Sequence, residues 1–225
     1  MKTIVQLKIV LVFCLWAPFL IAERLPEKLS FTAAEHPSIQ RTFIPLIKNV
    51  YDRLGVEIEI VTVPVSRGLK LVDQGLFDGD VVRLGSVIKD FDNLIEIPVP
   101  LTEVDISLYC NTDVACNLNV LTDSTKNVAI MHGYGFARTL IEKYQAQFFV
   151  YDAIPKVSEM FEKERFNYLV FVAPSNEKLE PPGFNNLERV LIQNEMAYHV
   201  LNSKHQNMLQ VLEQEFKNAI KKMPM

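Results

Sequence analysis

The sequence predicts an α/β fold of two lobes with a ligand cleft between them. Three observations carry this expectation. The stretch Pro64–Arg83, with the β-branched run Val56–Val63 before it, reads as strand, helix, strand, the building block of a mostly parallel sheet. The alternation of strands and helices restarts after Cys110. Extended crossings near Thr102–Asp105 and Leu191–Glu195 join the two sets, which places lobe 1 at residues 23–103 plus 194–225 and lobe 2 at 104–193.

Residues 1–22 read as an export signal. Lys2 and Lys8 give a positive start, Ile9–Ile21 is a continuous apolar run, and Pro18 breaks it ahead of Ala22, a small residue suited to the cleavage position. The run is short of the ~20 residues of a membrane span; a retained anchor is the alternative. Bulky Phe13 before Cys14 argues against lipidation of that cysteine. The chain then begins near Glu23, in the periplasm.

Leu29–Ala34 is the first strand, followed by the loop Glu35-His36-Pro37. Ser38–Leu54 carries Phe43, Leu46, Ile47, Val50 and Tyr51 at helical spacing and ends at Gly55, with a kink expected at Pro45. In the central unit Ser66 is the expected helix N-cap, Leu69, Leu71, Val72 and Leu76 form the apolar stripe, and Gly75 stops the helix. Phe77–Arg83 is turn and strand. Gly85–Asn93 reads as a short helix, Leu94–Leu101 as an extended segment interrupted by Pro98 and Pro100, and Glu103–Cys110 as a strand. The second set comprises strands at Asn127–Met131, Phe148–Ala153, Tyr168–Ala173 and Leu187–Gln193. Helices at Tyr134–Tyr144 and Pro155–Phe166 lie between them, and a last helix over Lys204–Lys222 returns to lobe 1.

The chain carries 23 Lys and Arg against 27 Asp and Glu, a net charge of −4. This becomes about −6 once Lys2 and Lys8 leave with the signal. With no basic cluster, a nucleic-acid partner is excluded. Cys110 and Cys116 form an even pair in an exported chain and are expected to bridge; two free thiols are the alternative. Four histidines without Cys or carboxylates at ligand spacing predict no metal site, and no cofactor motif is present. Gly-x-Ser-x-Gly, His-Glu-x-x-His and P-loop patterns are likewise absent from the sequence.

The run Tyr51-Asp52-Arg53-Leu54-Gly55-Val56, the step Pro64-x-x-Arg67 and the pattern Gly75-x-x-Asp78-Gly79-x-x-x-Arg83 resemble bacterial family 3 extracellular solute-binding proteins. With Asn93-Leu94-Ile95 and the tail Tyr198–His205, they are most similar to a compact, poorly characterised branch of that family. The resemblance covers essentially the whole chain after the signal. It implies a type II periplasmic-binding-protein-like fold whose lobes close on a small solute, often an amino acid whose carboxylate an arginine of the first lobe clamps. It also implies delivery to an ABC permease. Two departures weigh against an ordinary amino-acid ligand. The segment after the first strand lacks an aromatic-rich stretch, and Asn167 stands where related chains often carry Asp.

Arg67, one turn past a strand and near a helix start, is the expected carboxylate anchor, since its planar fork makes two parallel hydrogen bonds. Its alternative is an ion pair with Asp73 or Asp78. Arg83 is a second candidate, with pairing to a nearby carboxylate as the plainer reading. Gly133, Tyr134, Gly135 and Arg138 form a glycine-rich strand-to-helix turn suited to an anionic group. Glu35 and His36 are expected to set selectivity. The expected protein is therefore a monomeric, non-enzymatic binder of a small polar, carboxylate-bearing solute. A lyase or dehydratase on the same scaffold and a ligand-sensing partner of a membrane receptor are the alternatives.

Overall fold

The computed structural model describes residues 24–131, 136–151, 153–176 and 187–222, so the signal-peptide reading of residues 1–22 lies outside the described residues. The first strand, β1 (Lys28–Ala34), buries Leu29, Phe31, Ala33 and Ala34. The helix expected from Ser38 begins as a π-helical turn, Ile39–Phe43, and continues as α1 (Ile44–Arg53). The irregular turn comes just ahead of Pro45, which has no N–H to give a regular first turn. Gly55, at φ +71°, ends that helix in the left-handed conformation.

β2 (Glu57–Val63) lies parallel to β1 at the sheet edge. Glu57 and Glu59 on it each meet Lys28 at 3.3 Å, charges that discourage pairing with another chain. α2 (Val65–Asp73) follows directly. Its cap is Pro64 rather than Ser66: Pro64, at φ −53° and ψ 140°, is the last extended residue, and the helix begins at Val65, leaving Ser66 inside the first turn. Gly75, at φ +73°, ends it as expected. β3 (Gly79–Leu84) returns parallel to β1. The strand–helix–strand unit read from the sequence is thus present, with β1 between its two strands.

α3 (Gly85–Ile88) and β4 (Leu94–Glu96) lead into β5 (Thr102–Cys110). Next come α4 (Asn119–Thr122), β6 (Asn127–Met131), α5 (Phe136–Lys143), β7 (Gln147–Tyr151), α6 (Ile154–Glu162) and β8 (Tyr168–Pro174). The last strand, β9 (Glu188–Asn202), is 15 residues long, and α7 (Leu209–Ile220) closes the described chain against α1. The strands form one sheet in the order β2-β1-β3-β9-β5-β8-β6-β7, with β4 also on β9. β9 runs antiparallel to β5 along its first part and to β3 and β4 along its second, so it belongs to both halves of the sheet. The expected strand Leu187–Gln193 is the first part of β9, which runs on through Asn194 and Glu195 to Asn202. Hydrogen bonds to β5 carry it on, and Asn194 Nδ2 donates to Asp105 Oδ1 at 2.7 Å.

Cys110 and Cys116 are bonded. Among the described residues no helix is long and apolar enough to cross a membrane.

Several residues of the sequence pattern hold the first half together. Gly79 is required by close approach: a first side-chain carbon there would meet the Val200 carbonyl and stand 2.8 Å from the Phe31 ring. Asp78 accepts from Ser30 N–H and Oγ–H through one oxygen, and from Lys204 and His205 through the other, at 2.8–2.9 Å. Burial alone pulls its pKa up, but these donors outweigh that and hold it well below the usual carboxylate range. His199 is buried among Phe31, Tyr51 and Phe216. Its Nδ1–H donates to the Val81 carbonyl at 3.1 Å, leaving Nε2 to accept from Tyr51 Oη–H at 2.9 Å.

Candidate functional site

The carboxyl ends of β1 and β3 and the start of α2 face β8, Val104 of β5 and Phe136 of α5 across a cavity of about 160 Å3. A position beyond strand ends, between two halves of a sheet, is where α/β folds hold small molecules. The walls are mostly hydrocarbon and aromatic, supplied by residues such as Val65, Leu69, Val82, Val170 and Phe171. Polar groups enter at Glu35, His36, Ser38 and Arg83.

Arg83 is 8% exposed, and its Nη2 donates to Asp80 Oδ2 at 2.7 Å. Residues three apart on a regular strand point to opposite faces. The register of β3 against β9 shifts between Asp80 and Arg83, and that irregularity lets the two side chains meet. Asp80 is fully buried and also accepts from Thr32 Oγ1–H at 2.6 Å and from Val82 N–H at 3.2 Å. Burial pushes the Asp80 carboxyl up, opposed by the Arg83 guanidinium and these donors. The pair is therefore balanced internally, yet Arg83 Nε is buried with no hydrogen-bond partner. A buried donor left unpaired costs ~1–3 kcal/mol.

α2 sits directly on this cluster. At Gly68 a first side-chain carbon would lie 2.7 Å from Arg83 Nη2 and 3.0 Å from Asp80 Oδ2. Glycine is the one residue that lets the helix start approach so closely.

His36, half-buried, links the two halves. Ser38 N–H donates to its Nδ1 at 3.2 Å, so Nε2 carries the proton and donates to the Val172 carbonyl of β8 at 3.1 Å. Its ring stacks on Phe171 with centroids 5.3 Å apart. Glu35 is exposed at the rim.

The other candidates fall elsewhere. Arg67 is exposed in the first turn of α2 and is not among the cavity-lining residues. The carboxylates suggested as its partners are engaged differently: Asp73 accepts from Asn93 N–H, and Asp78 binds Lys204 and His205. Arg138 is 81% exposed on α5 and pairs with Glu142 at 2.8 Å. Gly133, Tyr134 and Gly135 lie outside the described residues, although Met131 and Phe136 on either side of that segment both line the cavity. The structure thus gathers Glu35, His36 and Arg83 at one cavity and leaves Arg67 and Arg138 off it. The aromatic wall at Phe171 was not read from the sequence; the pairing of Arg83 with a nearby carboxylate was, but not Asp80 as its partner. The signal for the pair was Asp80-x-x-Arg83 behind an obligatory glycine. Among the described residues no group of three or more His, Cys, Asp or Glu side chains converges to hold a metal.

No protein-family model and no curated protein matches the chain. Solved structures do. An arginine-bound mutant of ArgBP from T. maritima is similar at 12% identity and a TM-score of 0.70, over 85% of this chain and 95% of that one. The ancestral amino acid-binding protein AncCDT-1, a precursor of cyclohexadienyl dehydratase, is similar at 15% identity and a TM-score of 0.68, over 87% and 91%. A histidine kinase sensor domain with similarity to periplasmic binding proteins reaches a TM-score of 0.72 at 15% identity, over 87% and 91%. At these identities the likeness establishes the architecture: a two-lobed, periplasmic-binding-protein-like α/β fold.

Proposed function

We propose that this protein is a non-enzymatic solute-binding protein of the periplasm that holds one small molecule in the interlobe cavity, for uptake through an ABC permease. The observation that carries this reading is the cavity of about 160 Å3 beyond the strand ends of both halves, with Arg83 in its wall and charge-balanced by Asp80. The arginine-bound ArgBP shares the fold, and the leader-like residues 1–22 and the Cys110–Cys116 bond suit an exported protein. In this reading lobe 1 comprises residues 23–103 plus 194–225 and lobe 2 residues 104–193, with both crossings inside continuous strands, β5 and β9. The protein acts as a monomer. Arg83 replaces Arg67 as the anchor.

A dehydratase-like lyase is the second reading, favoured by the likeness to AncCDT-1. It needs a free acid or base at the cavity. His36 is tied to Ser38 and Val172, which leaves rim-exposed Glu35 as its candidate. A sensory partner of a membrane receptor is a further form of the binding reading, in keeping with the sensor-domain likeness.

The test is a thermal-shift screen of the chain from Glu23 onward against amino acids, small carboxylates, amines, sugars and neutral ring compounds. A ligand at 100 times its Kd stabilises by about 2.7 kcal/mol, a rise of ~5–10 °C for a chain of this size. The shift should survive in Arg67→Ala and disappear in Arg83→Lys, which keeps a cation beside Asp80. A shift lost in Arg67→Ala and kept in Arg83→Lys would restore Arg67 as the anchor. Turnover of a bound solute would favour the lyase.

A further inference from the structure

The cavity's chemistry points to a particular ligand class, on the reading that a solute occupies it. Among the described lining residues, only Glu35, His36 and Arg83 carry ionisable side chains. The Arg83 charge is already answered at 2.7 Å by a fully buried carboxylate, so the guanidinium does not call for an anion. His36 spends both ring nitrogens within the protein, Nδ1 on Ser38 and Nε2 on Val172. The remaining carboxylate, Glu35, is exposed at the rim.

Among the described lining residues a zwitterion's ammonium would find only rim-exposed Glu35 and otherwise hydrocarbon walls, where an unpaired charge moved out of water is costly. A carboxylate at Arg83 would add a second negative charge beside Asp80. An uncharged carbonyl oxygen avoids both costs. Size agrees with a ring: an engineered cavity of ~150 Å3 in another protein accommodates benzene, and this one measures about 160 Å3. Phe171, stacked on His36, and Phe136 offer aromatic walls to such a body.

We propose that the cavity binds an uncharged, ring-sized apolar molecule whose single carbonyl oxygen accepts from the Arg83 guanidinium, in preference to a free amino acid.

The experiment is calorimetric titration of the chain from Glu23 onward with benzamide, benzoate, benzylamine, L-phenylalanine and L-arginine. The first four share the ring and differ chiefly in the charge of the polar head. Benzamide is expected to bind, with benzoate, benzylamine and L-phenylalanine each weaker by at least ~10-fold. Arg83→Lys should weaken benzamide ~100-fold or more, and Val172→Phe, which fills the cavity from β8 without removing its backbone carbonyl, should abolish binding. Circular dichroism on both variants confirms that the fold is retained. Tighter binding of benzoate or of either amino acid than of benzamide overturns the ligand class while leaving the solute-binding reading standing. Benzamide binding unchanged in Val172→Phe, or no benzamide binding at all, also overturns it; in the latter case the broad solute screen decides the solute-binding reading separately.

Discussion

Arg83 and Asp80 are each unfavourable alone in this position and acceptable together. Replacing Arg83 with Ala leaves a fully buried carboxylate without its cation, a change that typically costs ~3–5 kcal/mol. Arg83→Ala is therefore expected to unfold at markedly lower denaturant concentration, whereas Arg83→Lys retains most of the stability; equilibrium urea unfolding checks the contrast. His199 provides a pH signature. Burial pushes its imidazole down to about 4, against 6.5 for the free side chain. The unfolded chain takes up this proton first, so the neutral His199 contributes its full stability above about pH 6.5. That contribution is lost as pH falls toward 4, a total on the order of 3 kcal/mol. Asp78, with its pKa lowered, acts at still lower pH, once acid reaches the ordinary carboxylate range and below. Unfolding free energies measured between pH 7 and pH 4 should decline in the natural protein and flatten in His199→Gln; equal slopes would remove His199 as the cause. At this scale the sequence was only partly legible. Arg83 was visible as a candidate, but its pairing depends on a register shift against β9, a strand far away in sequence. The placement of Arg67 was argued correctly as the first turn of a helix past a strand, yet its side chain stands outside the cavity.

Among the elements, α2 and β3 are constrained where their backbones come closest to neighbours. Gly68→Ala would push a carbon into Arg83 Nη2, the end of a long side chain, with Asp80 Oδ2 close behind it. The expected cost is ~1–3 kcal/mol, together with weakened ligand binding because Arg83 must shift. Gly79→Ala meets a backbone carbonyl and the Phe31 ring, neither of which can yield easily, and should be the more destabilising of the two; parallel urea titrations rank them. The Cys110–Cys116 bond closes a short loop after β5, and its loss is expected to cost about 2 kcal/mol in the chain-entropy model. A reductant that leaves the melting temperature unchanged would contradict this. Most elements were legible because their periodicity is strong: α1, α2, α7 and the strands of both halves all lie close to where apolar spacing and glycine stops put them. The misses have physical causes. β9 outruns its apolar pattern because its partners supply the hydrogen bonds, and α4, a single turn, carries too little periodicity to be read.

At the scale of the whole molecule, one sheet serves two halves because β9 and β5 pass between them, and the cavity lies where the strand ends of both halves meet. The two-lobed architecture was legible from the restart of the strand–helix alternation, and the likeness to solved binding proteins bears it out. The character of the cavity was not legible. Apolar residues that line it, such as Val65, Leu69 and Phe171, look in sequence like any other core positions. The His36–Val172 bond joins the halves directly, so a solute held beside it is expected to stiffen the whole molecule rather than one half. Hydrogen exchange with and without ligand should then show added protection in β1, β3 and β8 together.

The most direct measurement is the solute-induced thermal shift compared across the natural sequence, Arg67→Ala and Arg83→Lys. The account predicts a rise of several degrees in the first two and none in the third. A rise that persists in Arg83→Lys, with that variant fully folded, would contradict the assignment of Arg83 as the residue that holds the solute.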